Sequence, residues 1–289
     1  MKNKIKAILA DIVYWLHQKR ILKTDIEVMT IDATLDELLK TNKSLVRFGD
    51  GEIVMICGKS LHFQHESEEI ARRLTEILQY KEDDLMVAIP DIFRDLSQYR
   101  ESGQAFWKDH LLFFRKVYQR YCTTQKQYGN AYVSRCYYNY TDKSQSEKWF
   151  GKIREIWKNK NIIVVEGEGT HNGVGNNLLS TALSVERILC PANNAGDFQE
   201  EILDACLKMP EDHLFLLSIG PAAKLLAQDL FNAGRRVIDI GNLDMEYEWF
   251  LQKATEKVKL KKHEIFGVNE NQKAGYGQYL DEVKITIGI

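Results

Sequence analysis

The segment at residues 47–52, with sequence RFGDGE, places charged side chains around two glycines directly after an apolar run. Residues two apart in an extended segment point to the same side, so Asp50 and Glu52 would present two carboxylates to one divalent cation. Gly49 lets a ligand approach the backbone closely, and Arg47 would grip a phosphate oxygen through its planar guanidinium. The segment predicts a metal site beside a phosphorylated ligand, with an ordinary surface turn as the alternative.

A second segment, residues 166–177 with sequence EGEGTHNGVGNN, carries four glycines within nine residues. It follows a strand-like run and would open a helix, and both loop amides and a helix N-terminus favour bound anions. Its spacing is neither the Walker pattern nor GxGxxG, so a flexible connection is the alternative. As a binding loop, the segment would line a nucleotide pocket through Glu166, Gly167, Gly173, Gly175 and Asn176.

A third segment, SIGP at residues 218–221, also lies between an apolar run and a predicted helix. Pro221 suits the first helical turn, where free amides favour anions. Open α/β sheets bind their ligands in crevices at the carboxyl ends of parallel strands. We therefore expect Ser218, Gly220 and Pro221 to contact the nucleotide, and plain helix initiation is the alternative.

The fourth segment, DIGNLDMEYEWF at residues 239–250, contains four acids and no base. Neighbouring carboxylates repel one another unless a cation, a proton or a hydrogen-bond donor offsets their charge. If the chemistry requires a general base, Asp244 or Glu246 would supply it. The alternative is a solvated helix face, because Asp244 and Glu248 are four residues apart.

The apolar runs around these segments predict the scaffold that brings them together. β-rich runs occur at 45–48, 86–90, 162–167, 187–190, 214–220 and 236–241, separated by helix-length stretches. Strands alternating with helices predict a parallel sheet with helices on both faces, a Rossmann-like α/β fold with additional N-terminal elements. We expect its regular part at about residues 155–255, with the more irregular first half wrapped against it.

The chain has only four prolines and no low-complexity linker, so we predict a single domain at residues 21–260. It would follow an amphipathic helix at residues 1–20 and precede a tail at residues 261–289. In that first helix, apolar residues recur at helical spacing between basic residues. The helix would cap the core or dock to a membrane surface that carries a lipid-linked substrate.

Composition restricts the classes of partner and compartment. A net charge of −2, from 39 basic and 41 acidic residues, gives no overall positive field for nucleic acid. Five widely spaced cysteines without a CxxC pair predict reduced thiols in a cytoplasmic protein, peripheral at most at the inner face of the membrane. No HExxH zinc pattern or GxSxG nucleophile motif is present, which disfavours zinc and covalent hydrolase chemistry.

Seven segments, taken in order, resemble the GT-D glycosyltransferases, a bacterial family first catalogued as a domain of unknown function. These are RFGDGE, FQ at 63–64, SR at 134–135, VVEGEGTHNGVGNNLL, ILCPANNA, LSIGP and DIGNLDMEYEWF. The resemblance extends from about residue 40 to residue 255. This chain departs from the family pattern at three positions: near His171, where an Arg often stands, at Asn177, where an Asp is usual, and at Asn242, where a His is common.

The resemblance implies a Rossmann-like sheet, a UDP-sugar donor and a divalent cation, Mn²⁺ or Mg²⁺, held by an Asp-x-Glu motif that is here Asp50 and Glu52. It also implies donor contacts at Ser134 and Arg135. Relatives transfer a hexose to the glycans of serine-rich adhesins or to surface polysaccharides, so a glycan on a glycoprotein or lipid carrier is the expected acceptor.

Two other classes of function fit the same residues. A nucleotide-sugar hydrolase or phosphatase would present a similar metal site and nucleotide loop, and a nucleotide-sensing module would bind without reaction. The residues leave open the donor sugar, the acceptor and linkage, and whether transfer inverts or retains configuration. A homo-oligomer also remains open.

Overall fold

The computed structural model describes residues 2–22, 24–122, 126–260 and 276–289. The strands are β1 (Glu27–Val28), β2 (Ser44–Arg47), β3 (Leu85–Ile89), β4 (Gln127–Asn130), β5 (Asn161–Gly167), β6 (Ser184–Cys190), β7 (Leu214–Ser218), β8 (Val237–Asp239) and β9 (Val283–Thr286). The helices are α1 (Lys2–Gln18), α2 (Ile31–Lys40), α3 (Asp50–Ile56), α4 (Glu68–Leu78), α5 (Glu101–Tyr121), α6 (Ser146–Ile156), α7 (Gln199–Leu207), α8 (Ala222–Asn232), α9 (Leu243–Leu251) and α10 (Tyr276–Glu282).

The strands form one nine-stranded sheet in the order β1-β4-β3-β2-β8-β7-β5-β6-β9. Every neighbouring pair is parallel. The central strands read as continuous apolar runs, LMVAI in β3 and LFLLS in β7, and all of their residues are buried. A parallel sheet buried on both faces requires this pattern, so the predicted α/β fold class is confirmed.

The sequence predicted that the first half of the chain wraps against the sheet, and this prediction is wrong. The first half instead adds strands to the same sheet. β2 pairs with β8 through Leu45 and Ile238, and β3, β4 and β1 follow on the same side. The sequence also predicted a tail at residues 261–289, but part of it forms α10 and the edge strand β9. β9 pairs with β6 at the opposite edge of the sheet, while residues 261–275 lie outside the described residues.

The glycine-rich segment after β5 does not open a helix, which corrects the prediction from its sequence. It runs through turns until β6 begins at Ser184. Gly169, Gly173 and Gly175 have φ angles of +79°, +76° and +74°, and His171 has a φ of +51°. These left-handed conformations interrupt a right-handed helix.

Helix α1 packs along α5 and is joined to it by two ion pairs. Lys6 Nζ lies 2.7 Å from a carboxylate oxygen of Asp109, and Lys108 Nζ lies 2.8 Å from Asp11. Ala10 is buried and Tyr14 packs partly buried against the core, so one face of α1 contacts the core. Across the described ranges, no helix is long and apolar enough to cross a membrane.

A buried ion triad attaches the C-terminal elements to the sheet. Arg187 on β6 lies with Nη1 2.6 Å from Glu166 on β5 and with Nε 2.7 Å from Glu282 at the end of α10. The guanidinium also lies over the ring of Tyr279, 4.8 Å from its centroid. Arg187 is 3% exposed and Glu166 is fully buried, so each charge depends on its partners for stabilisation.

Arg187→Gln should lower the free energy of unfolding by about 3–5 kcal/mol, because it leaves two carboxylates without their shared cation. Lys158→Gln is the control, since its ion pair with Glu155 is half exposed and should contribute at most about 0.5 kcal/mol. Urea denaturation measures both values. Equal unfolding free energies for the two variants would show that the triad contributes little.

Candidate active site at the carboxyl edge of the sheet

The four predicted segments leave adjacent strands at the same edge of the sheet. RFGDGE follows β2, the glycine-rich segment follows β5, SIGP follows β7 and the acidic segment follows β8. The order β2-β8-β7-β5 makes these strands neighbours. The connection after β5 leads to β6 on one side, whereas the connection after the neighbouring strand β7 leads to β8 on the other side. The two connections therefore diverge and leave a crevice between β5 and β7, the kind of position where open α/β sheets bind ligands.

A chain of buried charges joins these segments below the crevice. Arg47 Nη2 lies 2.9 Å from Asp239, Lys224 Nζ lies 3.1 Å from the other oxygen of Asp239, and Lys224 Nζ lies 3.0 Å from Glu52. Burial alone would raise the pKa of Asp239, but Arg47 and Lys224 outweigh it and hold that pKa below its ordinary value. The four charges thus stabilise one another without solvent.

The sequence predicted that Arg47 binds a phosphate group, but its guanidinium is hydrogen-bonded within the protein. Its Nε donates to the carbonyl oxygen of Asp239 at 2.6 Å, and its Nη1 donates to the carbonyl oxygen of Ala131 at 3.2 Å. A Cβ at Gly241 would lie 2.1 Å from Arg47 Nη2, so a side chain at that position would displace the guanidinium. Arg47 holds β2, β8 and the segment after β4 together.

Asp50 and Glu52 lie in the first turn of α3, not in the extended turn that the sequence predicted. Glu52 Oε2 accepts a hydrogen bond from the Gly49 amide at 2.6 Å and caps the helix, while Oε1 faces Lys224. Glu52 is buried, whereas Asp50 is exposed. Although solvent reaches Asp50, protein atoms around its carboxylate displace part of the surrounding water, and this desolvation and the nearby charge of Glu52 raise the pKa of Asp50.

These contacts decide how a divalent cation would fit. Among the described residues, no group of three or more His, Cys, Asp or Glu side chains is arranged to hold a metal ion. Asp50 fits as a single carboxylate ligand, and a cation would offset both the desolvation and the repulsion by Glu52 that raise its pKa. Both oxygens of Glu52 are engaged, so Glu52 supplies negative charge beside the cation but would have to leave Lys224 to coordinate it.

A cavity of about 480 Å³ opens between the segment after β4 and helix α9, and has a size typical of small-molecule sites. Arg135 and Glu246 both line it. The positive charge of Arg135 partly offsets the raised pKa of Glu246 and also that of Asp50, so the three groups interact electrostatically. The lining combines apolar and basic side chains: Arg135, Tyr138, Asn139, Asn242, Met245, Glu246, Trp249, Lys257, Val258, Lys259 and Leu260.

Several of these lining residues were missed by the sequence reasoning. Trp249 lies in the acidic segment without a predicted role, and no motif pointed to Tyr138, Lys257 or Lys259. The basic run after α9, at residues 257–262, was the available signal. Arg135 was expected from family resemblance alone, and the structure places it in the cavity wall.

A second, smaller cavity of about 220 Å³ adjoins the first. It is lined by Glu168, Gly169, Thr170, Asn172, Asn242, Asp244 and Met245, so the two cavities share Asn242 and Met245. The glycine-rich segment does reach the crevice, but through residues 168–172. In the described part of the chain, the predicted contacts Glu166, Gly167, Gly173, Gly175 and Asn176 line neither of these cavities.

Those predicted loop residues hold the loop in place. Glu166 Oε2 accepts hydrogen bonds from the amide and side-chain nitrogen of Asn172, both at 2.8 Å. Asp244 Oδ1 accepts from the Gly173 amide and from Asn176 Nδ2, both at 2.8 Å. Asp244 is 1% exposed, so it anchors the glycine-rich segment to α9 as well as lining the smaller cavity.

Glu246 is the buried carboxylate of the larger cavity. Its Oε2 accepts hydrogen bonds from the backbone amides of Tyr137 and Tyr138 at 3.2 and 2.8 Å. Burial raises the pKa of Glu246, although these amides and Arg135 partly offset the effect. A carboxylate with a raised pKa in a cavity wall is suited to accept a proton near neutral pH.

The SIGP segment positions its neighbours and lines neither of these cavities. Ser218 Oγ donates to the carbonyl oxygen of Gly241 at 2.7 Å, which joins the loops after β7 and β8. Gly220 has a φ of +61°, and α8 begins directly after Pro221. Ser134, the other predicted donor contact, is buried beside Arg135. These residues support the loops around the crevice but do not line either of these two cavities.

Glu246→Gln should change how stability depends on pH. Because burial raises the folded-state pKa of Glu246, the folded protein favours the protonated carboxyl and loses stability as the pH rises through that pKa. The Gln variant lacks this loss, so its unfolding free energy relative to wild type should increase between about pH 4 and pH 7. Urea denaturation across this range tests the prediction, and a relative stability that falls towards pH 7 would contradict it.

The fold and these segments agree with similarities to known proteins. The probable glycosyl transferase Gly of Streptococcus gordonii is 39% identical over 236 residues, and the glycosyltransferase GlyD of Streptococcus pneumoniae serotype 4 is 40% identical over 235. Each alignment covers 81% of this chain but only 34% and 29% of those proteins, so the chain spans about a third of the length of the curated relatives it matches.

Solved structures are similar across nearly the whole chain. One, described as a new glycosyltransferase from Streptococcus sanguinis, superposes with a TM-score of 0.84 at 36% identity and covers 91% of this chain and 100% of its own. Another, described as a highly conserved domain of unknown function with a distinct glycosyltransferase fold, has a TM-score of 0.86 at 35% identity and covers 95% and 99%. The pattern of the Glycosyltransferase GT-D fold family matches residues 45–268, and the chain belongs to that family.

Proposed function

We propose that the chain transfers a hexose from a UDP-sugar to a glycan of the bacterial surface, carried on a glycoprotein or a lipid. The observation that carries this proposal is the cavity lined by Arg135 and Glu246, together with Asp50, on which the charge of Arg135 also acts. It combines a cation for a phosphate, an exposed carboxylate for a metal ion and a buried carboxylate for a proton. The relatives named as glycosyltransferases support the same activity.

The donor fits the larger cavity. Arg135, Lys257 and Lys259 would contact the diphosphate, because cationic side chains form the strongest hydrogen bonds with phosphate oxygens. Tyr138 is partly exposed and offers an aromatic ring on which uracil can stack, and the buried Trp249 packs against it with ring centroids 5.2 Å apart. The predicted phosphate role of Arg47 thus falls to Arg135, because Arg47 is committed to Asp239.

Asp50 would hold a divalent cation, Mn²⁺ or Mg²⁺, near this cavity. The negative charge of Glu52 would stabilise the cation electrostatically without coordinating it. The bound cation supplies charge stabilisation for the departing diphosphate. Ions of this kind take one or two protein carboxylates and complete their coordination shell with water and substrate phosphates. The single exposed carboxylate of Asp50 is therefore a sufficient protein ligand.

The acceptor would enter through the smaller cavity, which meets the larger one at Asn242 and Met245. In an inverting reaction, the acceptor hydroxyl oxygen bonds to the anomeric carbon as the bond from that carbon to the diphosphate oxygen breaks. The electron pair leaves with UDP, and Glu246 takes the hydroxyl proton. Asp244, the other predicted base, holds the glycine-rich segment against α9.

A cytoplasmic location suits this reaction. All five cysteines are free thiols, and four of them are buried. A protein without disulfides is typical of a reducing compartment. We accordingly place the enzyme in the cytoplasm, at the inner face of the membrane when its acceptor is lipid-linked.

The first kinetic test is transfer of labelled hexose from UDP-sugars to a candidate glycan, with and without metal. Asp50→Asn should lower kcat/KM by roughly 100-fold, a loss typical of removing one electrostatic contributor. Asp204→Asn, an exposed acid on α7, should retain full activity as the control. Chelation of divalent cations should abolish hexose transfer by the wild-type protein, and added manganese or magnesium should restore it.

The products of that assay also separate the rival functions. Transfer gives an enlarged glycan, a hydrolase gives only free sugar or sugar phosphate, and a sensor gives neither. Full activity of the wild type in excess chelator, after extensive dialysis, would remove the cation from the proposal.

Glu246→Gln tests the general base separately from binding. The amide keeps the shape and an oxygen for the backbone amides, so the KM for the donor should change little, whereas kcat should fall by roughly 100- to 10,000-fold. Near-normal kcat at saturating donor would show that Glu246 is not the base and would favour a retaining reaction.

A further inference from the structure

Helix α1 has two apolar faces, of which only one is packed against the protein. On the inner face, Ala10 is buried and Tyr14 is partly buried against the core. The opposite side, here called the outer face, consists of Ile5, Ile8, Leu9, Ile12 and Trp15, which are 48–58% exposed. A helix that is apolar on both sides normally has a partner on each, so the outer face indicates a contact outside the described protein.

The charges around the outer face restrict the identity of that partner. Lys4 precedes the apolar row and Lys19 and Arg20 follow it, and all three are exposed. The only acid between residues 4 and 20 is Asp11, and its carboxylate is paired with Lys108 on α5. The face is therefore an apolar strip with cations at both ends, in a protein whose net charge is −2.

A second copy of the chain fits this arrangement poorly. A two-fold symmetric contact would lay one outer face on another, and the helices would then bring their basic ends together whether they ran parallel or antiparallel. Like charges at both ends would repel, and no acid on the outer face offsets them.

An anionic lipid surface fits both features. Apolar residues of an interfacial helix enter the boundary between headgroups and acyl chains, basic side chains contact anionic headgroups, and tryptophan favours the interface. Phe113 on α5, 59% exposed, lies beside α1 under Lys6 and is a further exposed apolar side chain near this helix. We infer that the outer face of α1 docks the protein to the surface of an anionic membrane. This inference does not depend on the proposed enzymatic function.

Co-sedimentation with vesicles tests the inference. The protein should bind vesicles of phosphatidylcholine mixed with phosphatidylglycerol, bind phosphatidylcholine alone weakly, and dissociate as salt is raised. The double substitution Ile8→Ser and Ile12→Ser should weaken binding by at least roughly tenfold, because two exposed isoleucines no longer enter the lipid. Lys4→Gln with Lys19→Gln should weaken binding to the anionic vesicles alone.

Leu183→Ser is the matched control, since Leu183 is 71% exposed but lies far along the chain, just before β6. It should bind vesicles as the wild type does. All variants change exposed side chains, and circular dichroism is the check that they remain folded. Equal sedimentation of the isoleucine variant and the wild type, or no wild-type binding to anionic vesicles, would overturn the inference. So would a wild-type dimer that the isoleucine variant converts to a monomer without any change in vesicle binding.

Discussion

The buried pairing of Asp239 with Arg47 and Lys224 is the interaction on which the candidate active site depends. Asp239 ends β8, Arg47 ends β2 and Lys224 lies in the first turn of α8. The same lysine reaches Glu52, which caps α3 and so sets the direction of Asp50. A single network therefore fixes the two halves of the sheet against each other and orients the exposed carboxylate at the opening.

The acids after β8 show how one charged segment can perform several tasks. The carboxylates in it have different sets of partners: cations for Asp239, the Gly173 amide and Asn176 for Asp244, backbone amides after β4 for Glu246, and Asn176 again for Glu248. Electrostatic repulsion within the segment is thus relieved group by group rather than by one metal ion. Glu246 differs from the others because it also lines the larger cavity and keeps a raised pKa.

The strands that build the site could be predicted because each is a long apolar run followed directly by a polar or glycine-containing segment. β5, β6, β7 and β8 lie within a residue or two of the expected positions, apart from a longer start to β6. β4, with sequence QYGN, and β9, with sequence VKIT, are short and only half apolar, so tertiary contacts decide them. The resemblance identified the segments, but only packing shows that Arg47 is enclosed and that Arg135 faces the cavity.

The central claim is that UDP and a divalent cation bind together in the cavity at the carboxyl edge, between Asp50 and Arg135. A crystal structure of the protein with UDP and Mn²⁺, with manganese located by its anomalous scattering, measures this directly. We expect the diphosphate beside Arg135 and the manganese within coordination distance of Asp50, about 2.0–2.2 Å as for other small oxygen-bound divalent ions. UDP bound at the opposite edge of the sheet, near Arg235 and Arg236, or manganese away from Asp50, would contradict the account.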